Sequence, residues 1–185
     1  MTDRDDKQEL KIRPLHPLIG AEVTNVDFKE PLSESVVKEI HQAWMDYQIL
    51  VFPNQKISDE QHVAVTRNFG EPEIFHQSII KSKFVKEIFR VSNTDEDGRL
   101  MPQSHPIQQQ LSSAKKWHTD SSYRPIPAMG SLLHGIQVSR TGGLTCFTNM
   151  YEVYDALPEQ LRRRIEGKKC RHDFENLSRI AGARK

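Results

Sequence analysis

A histidine and an aspartate stand two residues apart in the segment Trp117–Tyr123, which reads WHTDSSY. If this segment is a strand, the side chains of His118 and Asp120 leave the same face, roughly 7 Å apart at the backbone, and can bind one cation. An imidazole nitrogen and a carboxylate oxygen are two thirds of the 2-His-1-carboxylate triad, which binds Fe(II) and leaves positions open for substrate and O₂. With 8 histidines in the chain, such a pair also arises by chance. Taken alone, it favours two ordinary neighbours on a strand.

A second chemical signal follows in Gly142–Asn149, which reads GGLTCFTN. Two successive glycines suit a tight turn, and a strand after that turn presents Thr145 and Phe147 on one face. A threonine hydroxyl directed into a metal site can donate a hydrogen bond to the carboxylate of an anionic co-substrate. Thr145 is therefore a candidate co-substrate ligand, whereas Phe147 and Trp117 are expected in the core or in a pocket wall.

The first half of the chain mixes helices and strands. Ser33 can cap a helix, and residues 49–52 (ILVF) read as a buried strand that a proline ends. Ser58 and Gln61 have the spacing of a capping box, which predicts a second helix ending near Gly70. The first helix has one apolar stripe at helical spacing, formed by Val36, Val37, Ile40, Ala43, Trp44 and Tyr47.

The second half shows short strand-like runs separated by turn residues, which favours antiparallel β structure. A Gln/Ser-rich stretch at 103–113 predicts a mobile lid or a solvated loop. Two short helices are expected at 150–157 and 158–166, with Gly167 beyond the second. The four strand-like runs are 85–91, 117–123, 131–138 and 144–148.

Length and composition indicate one globular domain. The chain has 185 residues, 26 basic against 25 acidic side chains and 36% hydrophobic residues. We expect a frayed N-terminus over residues 1–10 and a single domain over 11–185. The chain has no long apolar run and no secretory signal pattern, which excludes a membrane span and makes the cytoplasm the default location. Cys146 and Cys170 lack a CxxC partner, so both are expected as reduced thiols.

The ordered motifs of the chain resemble those of the taurine / 2,4-dichlorophenoxyacetate dioxygenases, which are Fe(II)- and 2-oxoglutarate-dependent oxygenases. The resemblance spans nearly the whole chain, and the double serine after HTD is more similar to the dichlorophenoxyacetate branch. In chain order, the matching blocks are 15–23 (LHPLIGAEV), 49–52, 67–72 (RNFGEP), 117–123, 142–147 (GGLTCF), 154–158 (YDALP) and 171–174 (RHDF).

The resemblance implies a double-stranded β-helix, the cupin-like jelly roll, with helices packed outside. It implies that His118 and Asp120 bind Fe(II) and that Thr145 contacts 2-oxoglutarate, with O₂ as the oxidant and succinate and CO₂ as co-products. The substrate would be a small organic anion, aryloxyalkanoate-like or sulfonate-like. Family members place substrate contacts near the position of His76, although a surface loop is the plain alternative. Ala114 stands where the taurine branch has asparagine, which disfavours taurine itself.

The family takes its third ligand, a histidine, and a 2-oxoglutarate-binding arginine from a segment beyond the region matched here. Two interpretations stay open: an incomplete form of a longer oxygenase, or a short protein that is inactive or completes its site from another chain. The chain alone is expected to bind Fe(II) weakly and to turn over little. His172 corresponds to family residues that are not ligands, and His134 is expected to be a hydrogen-bonded interior histidine.

Other classes of function are also open. An inactive jelly roll could serve as a binding or assembly module, including as a homo-oligomer. Residues 161–185 hold nine basic and three acidic side chains, a pattern that nucleic-acid-binding proteins share. A solvated helix face explains it better, because no helix-turn-helix, zinc-finger or stacking-aromatic motif accompanies it, so nucleic-acid binding is disfavoured. The GxSxG, HExxH, GxGxxG and GxxxxGK[ST] motifs are absent from the sequence, which disfavours the corresponding enzyme classes.

Overall fold

The computed structural model describes residues 9–74, 85–95, 97–113 and 116–173. The chain divides into two compact units, the first formed by Met1–Glu71 with His134–Lys168 and the second by Pro72–Leu133 with Lys169–Lys185. A single domain over residues 11–185 stays a prediction. No helix within the described ranges is both long and apolar enough to cross a bilayer.

A three-stranded sheet organises the first unit. Strand β1 (Lys11–Pro14) runs antiparallel to β2 (Ala21–Thr24), which runs parallel to the short β3 (Leu50–Val51), giving the order β1-β2-β3. Ala21 and Val23 alternate along the central strand and are both fully buried, since side chains two residues apart leave the same face. The predicted strand at 49–52 is confirmed over its two middle residues, but its predicted burial is wrong, since Val51 is 43% exposed.

Helix α1 (Glu34–Tyr47) confirms the first predicted helix. The Val36 amide donates to the hydroxyl of Ser33 at 3.4 Å, so Ser33 caps the helix as expected. The helix ends at Gln48, whose backbone has a φ of 59° and whose amide donates to the Trp44 carbonyl. Val36, Ile40 and Ala43 form its buried stripe.

Helix α2 (Asp59–Arg67) begins with the predicted capping box. The Gln61 amide donates to the Ser58 hydroxyl at 3.2 Å, and the Ser58 amide donates to the Gln61 side chain at 2.8 Å. The Ser58 hydroxyl also donates to the Glu60 carboxylate, which lowers the pKa of Glu60. One buried apolar cluster joins this helix to α1 and β2, and it consists of Leu10, Val23, Phe28, Val36, Ile40 and Val65.

Helix α3 (Pro106–Ser113) corrects the loop or lid predicted for residues 103–113. Proline suits the first turn of a helix because its missing N–H has no helical partner there. The Gln109 amide donates to the His105 carbonyl at 3.0 Å, which closes that first turn. Pro106 is a sequence signal for the start of a helix, but the polar composition of the stretch favoured a loop.

Two short helices follow the Gly142–Gly143 turn, close to their predicted bounds. They are α4 (Met150–Asp155) and α5 (Glu159–Ile165). Asn149 caps α4 with its side-chain oxygen, while its side-chain nitrogen donates to the Leu18 carbonyl at 2.8 Å. This contact fixes the start of α4 against the N-terminal part of the first unit.

The antiparallel β structure predicted for the second half is wrong for the described residues. There the four strand-like runs form no strand, although Phe89 lies in a β-bridge and another isolated bridge joins Thr94 to Leu100. Leu133, Ile136 and Leu144 are 72%, 77% and 87% exposed. An apolar alternation becomes a strand only when a neighbouring strand accepts its backbone hydrogen bonds, and none is present there. The described residues thus show one small sheet with helices, and the jelly roll stays a prediction.

Candidate metal centre

The side chains of His118 and Asp120 converge, although the segment that contains them is a turn and not the predicted strand. The Nε2 atom of His118 lies 3.2 Å from Oδ1 of Asp120. The two side chains are 47% and 62% exposed, so the pair is open to solvent and to a ligand. Both residues belong to the second unit.

A backbone carbonyl fixes the histidine ring. Nδ1 of His118 lies 2.7 Å from the carbonyl oxygen of Lys116. Because a carbonyl oxygen only accepts hydrogen bonds, Nδ1 carries the hydrogen, and in the neutral ring the lone pair is on Nε2. The nitrogen that faces Asp120 is therefore the one that can bind a metal.

The aspartate is oriented in a similar way. The hydroxyl of Ser131 donates to Oδ2 of Asp120 at 3.0 Å, which leaves Oδ1 facing His118. A nitrogen lone pair and a carboxylate oxygen repel one another unless a proton or a cation lies between them. Two ligands at right angles around a divalent ion, each about 2.1 Å from it, are about 3.0 Å apart. The observed separation fits two adjacent ligand positions of one octahedral cation.

Further polar contacts brace the turn around this pair. Both oxygens of Glu73 are used: Oε1 lies 2.7 Å from Nη2 of Arg124, and Oε2 accepts the hydroxyl of Ser121 at 2.8 Å. Nδ1 of His172 lies 2.8 Å from the hydroxyl of Ser122. Glu73, Arg124 and the Ser131 contact to Asp120 were not predicted from the sequence. The one available signal was the run of polar residues directly after the HTD motif, since such residues need partners.

The roles predicted for the other site residues stay predictions. Thr145 is exposed and belongs to the first unit, and His76 lies outside the described residues. Nε2 of His134 lies 3.2 Å from the Gln55 carbonyl oxygen, as expected for a hydrogen-bonded histidine. Within the described ranges, no three His, Cys, Asp or Glu side chains are grouped closely enough to hold a metal ion.

Two arginines of α5, Arg162 and Arg163, have partners within the first unit. Nη2 of Arg162 donates to the Asp155 carbonyl at 2.9 Å, and its guanidinium lies 5.4 Å from the centre of the Tyr154 ring. Arg163 forms an ion pair with Glu159 at 2.7 Å. These contacts favour a structural role for the arginines over phosphate binding.

Comparison with known proteins identifies the family. The chain belongs to the taurine catabolism dioxygenase TauD, TfdA family, which it matches over residues 11–182. The resemblance noted from the sequence motifs is thereby confirmed.

Two relatives and one solved structure illustrate the match. The chain is 34% identical over 165 residues to the (S)-phenoxypropionate/alpha-ketoglutarate-dioxygenase of Sphingobium herbicidovorans, covering 88% of this chain and 53% of that protein. It is 34% identical over 173 residues to the alpha-ketoglutarate-dependent 2,4-dichlorophenoxyacetate dioxygenase of Cupriavidus pinatubonensis, covering 91% and 60%. The crystal structure of AAD-2 with Mn(II) and N-oxalylglycine superposes with a TM-score of 0.77 at 30% identity, covering 93% of this chain and 59% of that one. The chain thus spans somewhat more than half the length of these proteins.

Proposed function

We propose that the protein is an Fe(II)- and 2-oxoglutarate-dependent dioxygenase that hydroxylates a small organic anion. The observation that supports this most strongly is the convergence of His118 Nε2 and Asp120 Oδ1 at 3.2 Å, in a chain of the TauD, TfdA family. Two relatives are named for their dependence on alpha-ketoglutarate, which is another name for 2-oxoglutarate. The donor set, one imidazole and one carboxylate, suits non-heme iron.

Each residue of the site has a defined part in this proposal. His118 binds the metal through Nε2, because its Nδ1 hydrogen is held by the Lys116 carbonyl. Asp120 binds through Oδ1 while Ser131 holds its other oxygen. The hydroxyl of Thr145 donates a hydrogen bond to a carboxylate of 2-oxoglutarate, and His76 contacts the substrate. The third protein ligand is not assigned to a residue of this chain.

The metal supplies the oxidising chemistry when it is bound together with 2-oxoglutarate and O₂. In the overall reaction, one oxygen atom of O₂ enters a C–H bond of the substrate as a hydroxyl group. The other atom enters 2-oxoglutarate, which loses CO₂ and becomes succinate. Atoms and electrons balance in this reaction without a further reductant.

We also propose the jelly-roll fold, with helices outside it, as the architecture of the active protein. The proposal is supported by the similarity to AAD-2, with a TM-score of 0.77 at 30% identity. It also accounts for the exposed apolar side chains of Leu133, Ile136 and Leu144, since such runs are suited to strands that pair in a larger sheet.

The proposed substrate is an aryloxyalkanoate-like carboxylate, with a sulfonate-like anion as the second candidate. Two relatives act, by name, on phenoxypropionate and on 2,4-dichlorophenoxyacetate, which both carry a carboxylate beside an aryl ether. Hydroxylation of the carbon next to the ether oxygen would give a hemiacetal that breaks into a phenol and a carbonyl compound. Phenol release from such a substrate is therefore a direct readout.

Succinate formation tests the proposed activity. The purified chain is incubated with excess Fe(II), 2-oxoglutarate and 2,4-dichlorophenoxyacetate, and succinate and phenol are measured. Because two protein ligands hold Fe(II) weakly, turnover by this chain should be low even with excess Fe(II), but both products should form together and should be lost in His118→Ala and Asp120→Ala. Thr145→Ala should raise KM for 2-oxoglutarate by roughly 10- to 150-fold, since a hydrogen bond to a charged group contributes about 1.5–3 kcal/mol. Succinate formation that survives either ligand substitution would contradict the proposal, and robust turnover by the wild-type chain would contradict the expectation that two ligands make a poor site.

A further inference from the structure

The carboxylate of Glu73 holds the turn that follows the candidate metal ligands. Its Oε1 lies 2.7 Å from Nη2 of Arg124, and its Oε2 accepts the Ser121 hydroxyl at 2.8 Å. Ser121 is the residue directly after Asp120, and Arg124 is three residues further along the chain. Glu73 therefore holds both ends of this turn from 48 residues away in sequence.

The turn needs such support because its first residue is strained. Ser121 has a φ of 52°, in the left-handed region, which is unfavourable for a non-glycine residue. The Arg124 amide donates to the Ser121 carbonyl at 3.0 Å and closes the turn. A backbone conformation of this kind persists only where surrounding contacts hold it.

The contacts of Glu73 are stronger than those of an exposed ion pair. The side chains of Glu73 and Arg124 are 26% and 31% exposed, so solvent screens their attraction only in part. One contact is an ion pair with Arg124, and the other is a hydrogen bond from the Ser121 hydroxyl to a carboxylate, which is stronger than a bond between neutral groups. Glu73 thus contributes one ion pair and one hydrogen bond to side chains of the turn that follows Asp120.

We propose that Glu73 is a positioning residue for the metal ligands. Through Ser121 and Arg124 it fixes the backbone next to Asp120, and thereby the separation of Asp120 Oδ1 from His118 Nε2. This inference rests on the proposed function, because it concerns metal binding by that pair. Ligands must be held within about 0.5 Å of their working positions, so a turn that relaxes would weaken binding.

A role in folding alone makes a different prediction. It would lower the urea concentration at which the chain unfolds, but it would leave the metal affinity of the folded chain unchanged. The contact between Ser122 and His172 at 2.8 Å also holds this turn and does not involve Glu73. It should keep the segment folded in variants at position 73, so the two roles can be separated.

Mn(II) affinity of the full 185-residue chain provides the test. Mn(II) is titrated into each variant and the free ion is followed by electron paramagnetic resonance, under conditions where urea unfolding shows every variant to be folded. Glu73→Gln should weaken Mn(II) binding roughly 10-fold or more, the range seen when groups that support metal ligands are removed. Glu159→Gln is the matched control, because it breaks an ion pair of equal length, 2.7 Å, within α5. The control should bind Mn(II) as the wild-type chain does.

The outcomes separate this inference from the proposed function. If Glu73→Gln binds Mn(II) as tightly as the wild-type chain, the positioning role of Glu73 is overturned. Loss of Mn(II) binding in Asp120→Ala would in that case still support the proposed metal site. Absence of Mn(II) binding in the wild-type chain would overturn both. If Glu73→Gln fails to fold, Arg124→Gln removes the same ion pair from the other side. Reduced affinity in that variant supports the inference, and unchanged affinity overturns it.

Discussion

Two regions of this chain are stabilised in different ways. In residues 10–67, apolar side chains at regular spacing are buried against one another, as Val23 and Ile40 are at 0% and 3% exposure. In residues 116–148, the large apolar side chains are mostly exposed, including Ile136 at 77%. The first region is held by a shared core, whereas the second is held by separate polar contacts such as Ser131 to Asp120.

The candidate metal ligands His118 and Asp120 lie in residues 116–148, the region held by polar contacts. Its geometry depends on three polar groups, the Lys116 carbonyl, the Ser131 hydroxyl and the Glu73 carboxylate. Single polar contacts each contribute about 0.5–3 kcal/mol, the upper part of that range applying to charged groups. Substitutions there should alter the site much more than the stability of the first region.

A matched pair of isoleucine substitutions gives the largest expected contrast in stability. Ile40→Ala should lower the free energy of unfolding by about 2–5 kcal/mol, because it removes buried methyl groups and leaves a cavity in the core. Ile136→Ala should change it by less than about 0.5 kcal/mol, because that side chain is exposed. Urea unfolding followed by the helical circular dichroism signal measures both.

If Ile40→Ala and Ile136→Ala lower the free energy of unfolding equally, the two regions do not differ in this way. That result would mean that residue 136 is buried in solution. A second copy of the chain covering this face is one way to produce that result. Repeating the unfolding at two protein concentrations detects it, because self-association makes the apparent stability depend on concentration.

A pair of serine substitutions should give a smaller contrast. Ser58→Ala should cost about 1 kcal/mol, because it removes the cap of α2. The Ser139 hydroxyl donates to the Thr141 carbonyl at 2.6 Å within an exposed turn, so Ser139→Ala should cost less than about 0.5 kcal/mol. The same unfolding measurement applies, with Ser58→Asp as a control that restores a cap. A larger loss in Ser139→Ala than in Ser58→Ala would contradict the division between the regions.

The two regions also differ in how far their structure could be predicted. The caps at Ser33 and Ser58 and the apolar stripe of α1 are local signals, and both helices begin where those signals place them. The runs at 131–138 and 144–148 carry equally regular patterns but form no strand in the described residues. Strand formation depends on a partner strand, which a local pattern does not specify.

The candidate site shows the same division. Residue types and spacing made His118 and Asp120 candidates, and the family resemblance made them the predicted ligands, while the strand assumed to align them is a turn. The groups that orient them could not be predicted, since Glu73 is 48 residues from Ser121 and Ser131 is 11 residues from Asp120. Contacts at such separations are set by tertiary structure.

Pulsed electron paramagnetic resonance of Mn(II) bound to the chain tests the central claim most directly, because it detects nitrogen atoms coordinated to the ion. The claim is that His118 and Asp120 bind one divalent metal. We predict coupling to one histidine nitrogen in the wild-type chain, lost in His118→Ala and kept in His134→Ala. Absent coupling in the wild type, or coupling that persists in His118→Ala, would contradict the account.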